Sequence, residues 1–170
     1  MEAVLRKLET QPVGFRQLQR AVPNARVMLY DDLPEKGSIE QLIGKKKCLI
    51  VFYQLHTKSG ATREGTGHYS AILKQKNRLE WFSSYGMSPE QEIAMTHSKG
   101  KLIKLLGRNY IRSSARLQGR YHSNTCARWC AARCLLHDVK LGVFVKYFGA
   151  RAKLDRPDDL VTLATMFLIR

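Results

Sequence analysis

The segment Thr125–Leu136, TCARWCAARCLL, decides how this chain is built. Its small and apolar residues cover nearly every side of an α-helix, and a helix of that kind is buried in the middle of a domain. Ser123, Asn124 or Thr125 is expected to cap its start. Cys126 then lies in the first turn, where backbone N–H groups and the helix dipole stabilise a thiolate and can also hold an oxyanion. Position alone leaves two readings equally open: Cys126 is a thiol nucleophile, or it packs the end of the helix.

A sheet is predicted upstream of this helix. Cys48–Leu55 (CLIVFYQL) is a continuous apolar, β-branched and aromatic run, which is typical of a buried strand. A Gly-, Thr- and Ser-rich loop, Thr57–Gly67, leads to a second strand, His68–Leu73. A turn at residues 75–77 then returns the chain as a third strand, Leu79–Ser84.

The other elements follow from periodicity and capping signals. Ser38 with Gln41 forms a capping box before a brief helix. Pro157 opens the final helix, which reaches Leu168 and carries acids in its first turn. We expect further helices at residues 2–10, 14–21, 90–95 and 102–106, a strand at 26–30, and a strand or helix end at 143–148. Length and pattern predict one α+β domain over residues 1–170.

Composition limits the classes of protein that fit. No stretch approaches the ~20 apolar residues of a membrane span, so we expect no membrane contact. The start, MEAVLRKLET, lacks the apolar core of a signal peptide, which predicts a reducing compartment and four free thiols.

The net charge is the unusual feature of the composition. Lys and Arg outnumber Asp and Glu by 29 to 14, which gives +15. A field of that size favours polyanions, and because the cations are spread along the chain we expect sequence-nonspecific phosphate contact with DNA. The alternative is a basic surface that serves only solubility.

The three cysteines of the central helix are also candidates for metal binding. Cys126, Cys130 and Cys134 recur every four residues, with His122 and His137 at either side. Three thiols over two turns span ~12 Å, because each residue rises ~1.5 Å, and that is too far for one tetrahedral ion. We therefore expect no metal, and we expect Cys130 and Cys134 to belong to the core.

His68 is the candidate base. It is predicted to open a strand after a Gly-rich loop, so its ring can project from a sheet edge into a cleft. A turn at 75–77 places position 68 opposite 83 or 84, where a group that orients an imidazole would have to stand. Both positions are serine. Glu80 faces the other side of the sheet and is a poor substitute.

Several stretches carry a family resemblance. Gly67-His68-Tyr69, WFSSYGMSPEQE (81–92) and LQGRYHSNTCARWC (117–130) resemble the adenovirus-type (adenain-like) processing cysteine proteases, above all those of virophages, Polinton elements and large DNA viruses. VPNARVMLYDDLP (22–34) and RPDDLVTLATMF (156–167) resemble the N-terminal strand and the closing helix of that family. The matches cover essentially the whole chain in the family's order.

The resemblance implies a papain-like α+β fold, shared with the proteases of ubiquitin-like modifiers. A central helix carrying Cys126 would pack against a mixed sheet carrying His68. It also implies that Cys126 is the nucleophile, His68 the base and Gln118 a donor of the oxyanion hole. Two positions depart from the family pattern: Ser83 occupies the usual acid position, and Ala127 replaces a glycine. We therefore expect a Cys–His dyad.

The function implied is a viral thiol endopeptidase that cleaves capsid or core precursors during virion maturation, after small, Gly-containing sequences. It would act as a monomer inside the virion and at the assembly site in the host cytoplasm or nucleus. No cofactor is expected to be obligatory, although DNA can serve as an activator. Two alternatives remain: a catalytically weakened relative that acts as a basic DNA-binding virion protein, and an isopeptidase for ubiquitin-like modifiers.

Overall fold

A computed structural model describes residues 2–56, 62–119, 124–151 and 157–169. Eight helices and five strands are seen in these ranges. The strands are β1 (Ala25–Leu29), β2 (Cys48–His56), β3 (Thr62–Lys74), β4 (Leu79–Phe82) and β5 (Tyr110–Arg112). The helices are α1 (Glu2–Thr10), α2 (Phe15–Ala21), α3 (Ile39–Ile43), α4 (Pro89–Thr96), α5 (Lys101–Leu106), α6 (Cys126–Leu135), α7 (Leu141–Arg151) and α8 (Pro157–Thr165).

The five strands form one mixed sheet in the order β1-β2-β3-β4-β5. The two central pairings, β2 with β3 and β3 with β4, are antiparallel, whereas the edge strands β1 and β5 pair in parallel with their neighbours. The expected α+β class is confirmed at this level. A mixed sheet of this kind needs helical cover, because its central strands are apolar on both faces.

Two apolar layers enclose the sheet. Alternate residues of β2 enter opposite layers, so Cys48 and Ile50 pack beside α6 while Leu49 and Val51 pack beneath α3 and α5. The buried strand predicted from this apolar run is thus confirmed. α6 is the helix in the middle of its layer, and all its residues from Cys126 to Cys134 are buried.

Most predicted elements are present. The Ser38–Gln41 capping box forms, because Gln41 N–H donates to Ser38 Oγ and the Gln41 side chain accepts from Ser38 N–H. Residues 143–148 are helical and belong to α7. Strand β5 was not predicted, since three residues carry too little periodicity to be recognised.

The expected Gly-rich loop does not extend to Gly67. Residues 57–61 lie outside the described residues, but β3 already begins at Thr62, where a loop up to Gly67 was expected. His68 is therefore the seventh residue of a long strand and does not open it. Pairing of Gly67 with Gln54 of β2 overrides the low strand propensity of glycine at this position.

Candidate active site

His68 lies in the part of β3 that does not pair with β4. It pairs with Tyr53 of β2, but on its other side the pairing of β3 with β4 begins only at Ala71, opposite Phe82. Beyond Phe82 the chain leaves the sheet, so residues 68–70 of β3 have no β4 partner. This gap is where side chains from outside the sheet reach His68.

The expected pairing of position 68 with 83 or 84 is wrong. The register is Ala71 with Phe82, which extrapolates to Tyr85 opposite His68, and β4 has already ended. Ser83 Oγ instead accepts a hydrogen bond from the Tyr85 N–H at 3.2 Å. The turn between β3 and β4 is one residue longer than the sequence indicated, and the extra residue shifts every cross-strand pair.

A carboxylate does meet His68, and it comes from α4. Glu92 Oε1 lies 2.9 Å from His68 Nε2, and Ser70 Oγ donates to Glu92 Oε2. Glu92 and His68 are both buried. A buried carboxylate held at both oxygens is a strong orienting group for an imidazole. The acid beside His68 is therefore Glu92 and not a residue at position 83, where the family resemblance led us to look for one.

The sequence held a weak signal for Glu92. The motif Ser88-Pro89-Glu90-Gln91 predicts a helix start, and the capping box between Ser88 and Gln91 forms as such a motif should. An acid in the first turns of a helix is normally interpreted as a partner of the dipole. The buried face of α4 is Pro89, Glu92 and Thr96, which is mostly polar, so no apolar stripe revealed which acid points inward.

Cys126 begins α6 on the other side of the His68 ring. Thr125 is the N-cap residue, but its side chain makes no capping bond to the helix. The Cys126 thiol lies close enough to the His68 ring to raise the pKa of the imidazole. Since Nε2 is engaged by Glu92, the ring nitrogen left for the thiol is Nδ1. The three groups therefore follow one another in the order Cys126, His68, Glu92.

The electrostatic interactions around His68 favour a charged imidazole. Burial by itself lowers the pKa of His68, but the Glu92 carboxylate, its hydrogen bond to the ring and the neighbouring Cys126 thiol outweigh burial and raise the pKa to about 10. His68 is consequently protonated at neutral pH. A protonated His68 carries a proton on both ring nitrogens, so it can donate to Glu92 and also towards Cys126.

Two tyrosines enclose the His68 ring. The ring stacks on Tyr85 with centroids 5.0 Å apart, and Tyr53 lies 6.3 Å away. Arg116 covers the Tyr85 ring at 5.8 Å. The backbone around Tyr85 is fixed, because Trp81 Nε1 donates to the Met87 carbonyl and Gly86, with a φ of +69°, packs directly against Ser114. The imidazole is therefore held in one plane.

Gln118 is buried next to the same gap. Its backbone N–H donates to the Ser84 carbonyl at 2.9 Å, and its side-chain Oε1 accepts from Ser84 Oγ at 2.8 Å. Because the Ser84 hydroxyl donates to Oε1, the oxygen of the Gln118 amide points towards Ser84 and its NH₂ group points away from Ser84. Ser84, a neighbour of the expected acid position, thus orients Gln118 and not His68.

Glu80 is remote from His68, as the sequence indicated. It pairs across the hairpin with Leu73, which packs in the α6 layer, and its carboxylate receives bonds from Arg133 Nε at 2.6 Å and Nη2 at 2.8 Å. The ion pair is buried. Glu80 therefore anchors α6 to the sheet.

A cleft of about 450 Å³ opens beside Cys126. Phe52 and Tyr69 form an aromatic wall with ring centroids 4.5 Å apart, and Tyr69 Oη donates to the Val13 carbonyl. Gly67 lies in the floor, where a Cβ would stand 2.2 Å from the Phe52 ring. A concave site lined by aromatic side chains and a few polar groups is typical of ligand-binding clefts.

The remaining cysteines do not approach the cleft. Cys48, Cys130 and Cys134 are buried in the α6 layer, and all four cysteines are free thiols. Within the described ranges no group of three or more His, Cys, Asp or Glu side chains is placed to hold a metal ion. His122, considered above as a ligand, lies outside the described residues.

A basic groove lies at the other end of the sheet. Two adjoining depressions of about 530 and 540 Å³ share Gly107 and Arg108. Their charged lining is predominantly cationic, with two acids, Glu40 and Glu90, against Lys74, Lys76, Arg78, Arg108 and Arg112. We call these five cations the basic groove. Lys74 is six residues along β3 from His68, or about 20 Å at ~3.3 Å per residue.

In the described part of the chain, no helix has the length and apolarity required to cross a membrane. Compared with models of known protein families and with curated protein sequences, the chain gives no match.

Proposed function

We propose that this protein is a cysteine endopeptidase with Cys126 as nucleophile, His68 as acid–base group and Glu92 as the carboxylate that orients it. The observation that carries the proposal is the position of the His68 ring, which lies beside Cys126 on one side and donates from Nε2 to the buried Glu92 carboxylate on the other. The sequence alone predicted a dyad, and Glu92 turns the proposal into a Cys–His–Glu triad. A papain-like arrangement of helix and sheet belongs to the same proposal.

The chemistry follows from these positions. The Cys126 thiolate attacks the scissile carbonyl carbon, a C–S bond forms, and the carbonyl oxygen becomes an oxyanion. The Cys126 N–H and the Gln118 amide stabilise this oxyanion. The His68 imidazolium gives its proton to the departing amine as the C–N bond breaks, which leaves a thioester. Neutral His68 then takes a proton from water, the hydroxyl attacks the thioester, and the thiolate leaves.

The substrate class follows from the family resemblance and the cleft. We propose viral capsid or core precursors as substrates, cleaved after small, Gly-containing sequences during virion maturation. The protein would act inside the virion and at the assembly site in the host cell. A ubiquitin-like modifier with a Gly-containing tail would use the same chemistry, so an isopeptidase is the alternative within this class.

A nucleic-acid partner is supported by a separate observation. The basic groove concentrates cations of a chain whose net charge is +15 at one end of the sheet. Non-specific DNA binding there would guide or activate the peptidase, and in a catalytically weakened relative it would be the main activity.

The experiment compares Cys126→Ala with Cys130→Ala. Both remove a buried thiol of α6, but only Cys126 reaches His68. In a library of Gly-containing fluorogenic peptides we expect Cys126→Ala to lose cleavage completely, while Cys130→Ala retains it. Iodoacetamide followed by mass spectrometry should label Cys126 before the other three thiols. Cleavage by Cys126→Ala, or equal labelling of all four thiols, would exclude a cysteine peptidase.

A further inference from the structure

Asp158 is a buried carboxylate in the first turn of α8 that joins three separate points beside the candidate active site. Its Oδ1 accepts from Thr125 Oγ1 at 2.6 Å and from Trp129 Nε1 at 2.9 Å. Its Oδ2 accepts from the Gly119 N–H at 3.1 Å. Both oxygens of one side chain are therefore committed to different segments.

The three partners have positions that matter to the proposed chemistry. Thr125 is the N-cap residue directly before Cys126, and Trp129 lies one turn further along α6. Gly119 directly follows Gln118 in the chain. Residues 120–123, which connect the two segments covalently, lie outside the described residues. The Asp158 carboxylate links them through space instead.

Asp158 also explains why Thr125 does not cap its own helix. An N-cap threonine normally bonds to a first-turn N–H, but here the hydroxyl donates to Asp158. The cap side chain consequently does not occupy the N–H groups at the start of α6. This arrangement costs the helix a capping bond, which suits a helix start that has to receive a substrate oxygen.

We propose that Asp158 is a positioning residue that fixes the Cys126 backbone N–H relative to the Gln118 amide, the two donors of the oxyanion hole. The inference rests on the proposed peptidase function. Asp158 acts through Thr125 and Gly119 and does not itself reach the reacting atoms. Donors of this kind must be held within about 0.5 Å of the productive geometry, and short bonds to a buried carboxylate provide that constraint.

The test compares Asp158→Asn with Asp159→Asn. The amide of Asn has one accepting oxygen, so it cannot accept at both ends and one of the two segments loses its partner. Asp159 is half-buried in the same helical turn, and its substitution removes the same charge from the same helix start. The difference between the two variants therefore reports the hydrogen bonds and not the helix dipole.

We expect kcat for peptide cleavage to fall about 10–100-fold in Asp158→Asn, with KM within about twofold of wild type. The rate at which iodoacetamide alkylates Cys126 should stay within about twofold of wild type, because alkylation develops no oxyanion. Asp159→Asn should match wild type in all three quantities. Thr125→Val, which removes one of the three bonds with little change of shape, should lower kcat about 3–10-fold.

Three results would overturn the inference. The first is a kcat of Asp158→Asn equal to that of Asp159→Asn. The second is an alkylation rate of Cys126 in Asp158→Asn that falls as far as kcat does, which would indicate that the carboxylate has only a structural role. If thermal melting shows that Asp158→Asn does not fold, unchanged kcat in Thr125→Val would decide against it. A wild-type protein that cleaves no peptide and shows no preferential alkylation of Cys126 would refute the peptidase itself, whereas an active wild type with unaffected variants refutes only the role of Asp158.

Discussion

At the residue scale, the site depends on one buried ion pair. His68 and Glu92 are both withdrawn from water, and each would be costly to bury alone. Together they satisfy one another, and Ser70 holds the second oxygen of the carboxylate. The tyrosines on either side leave the imidazole few other orientations. Position and charge of the proposed acid–base group are thus set by the same few contacts.

Glu92→Gln should lower kcat/KM for peptide cleavage about 10–100-fold. Gln can still accept from His68 Nε2, but it brings no charge to support the imidazolium. Ser83→Ala is the matched control, because Ser83 bonds only to the backbone of its own turn in the described structure, and it should stay within about threefold of wild type. Steady-state kinetics on one peptide measures both. An equal loss of kcat/KM in the two variants would indicate that Ser83 contributes to orienting His68 as much as Glu92 does.

The raised pKa of His68 also predicts a dependence of stability on pH. The native state holds a proton up to about pH 10, whereas an unfolded histidine releases it near 6.5. The stabilisation is therefore complete below about pH 6.5 and is lost as the pH rises through 10. Between these limits the free energy of unfolding should fall by up to about 1.4 kcal/mol per pH unit.

Urea titrations at several pH values measure this slope. His68→Gln removes the titrating group, so its free energy of unfolding should change less between pH 6.5 and 10 than that of wild type. Other groups that titrate in this range are common to both proteins and cancel in the comparison. Parallel profiles would show that His68 is not the proton-binding group.

At the scale of elements, the site exists because β3 is longer than its neighbour. β3 runs from Thr62 to Lys74, while β4 pairs with only its last four residues. The unpaired part of β3 carries His68 and Ser70, and α4 covers it with Glu92. α6 presents Cys126 to the same ring from the opposite layer. Because β4 ends before it reaches this part of β3, side chains from α4 on one face of the sheet and from α6 on the other can both reach His68.

Close packing of β2 against β3 requires glycine before His68. A Cβ on Gly67 would stand 2.2 Å from Phe52 Cε2 and 2.4 Å from the Tyr53 carbonyl oxygen. We expect Gly67→Ala to destabilise the protein by about 1–3 kcal/mol, because a packed strand has to move. Gly142→Ala in α7, with no atom within 4 Å, should instead be neutral or stabilise by about 0.5–1 kcal/mol. Urea denaturation compares the two, and an undisturbed Gly67→Ala would contradict the packing argument.

At the scale of the whole molecule, both terminal helices support the start of α6. Asn124 N–H donates to the Glu9 carbonyl and its side-chain amide to the Thr10 carbonyl, at the end of α1. Asp158 of α8 holds Thr125, the next residue. The helix that carries Cys126 is therefore fixed by segments more than a hundred residues apart in the chain.

The charge distribution belongs to this scale as well. Reversing three exposed cations of the basic groove, with Lys76→Glu, Arg78→Glu and Arg108→Glu together, should weaken duplex DNA binding at least tenfold at low salt. The slope of log K against log salt should fall by about 3. Peptide cleavage without DNA should be unchanged, because the groove lies about 20 Å from His68 along β3.

The control for this experiment makes the same change of net charge elsewhere. Lys36→Glu, Lys99→Glu and Lys146→Glu alter three exposed lysines that do not line the groove. Fluorescence anisotropy with a labelled duplex measures both triple variants. An equal loss of affinity would mean that DNA responds to overall charge and that the groove is not its binding surface.

The sequence by itself determined the α+β class, the buried strand β2, the central helix α6 and the candidacy of Cys126 and His68. These depend on local periodicity, on helix-start chemistry and on residue types that lie close together in the chain. It also indicated that Glu80 does not serve His68, because the alternation of a strand is local.

Only the tertiary structure decided the rest of the candidate site. Glu92 reaches His68 across 24 residues, Ser84 orients Gln118 across 34, and Asp158 reaches Thr125 across 33. Each of these polar groups is buried through long-range packing and carries no periodic signal of its own. The hairpin register, which a single residue in the turn shifts, placed Tyr85 and not Ser83 beside the imidazole.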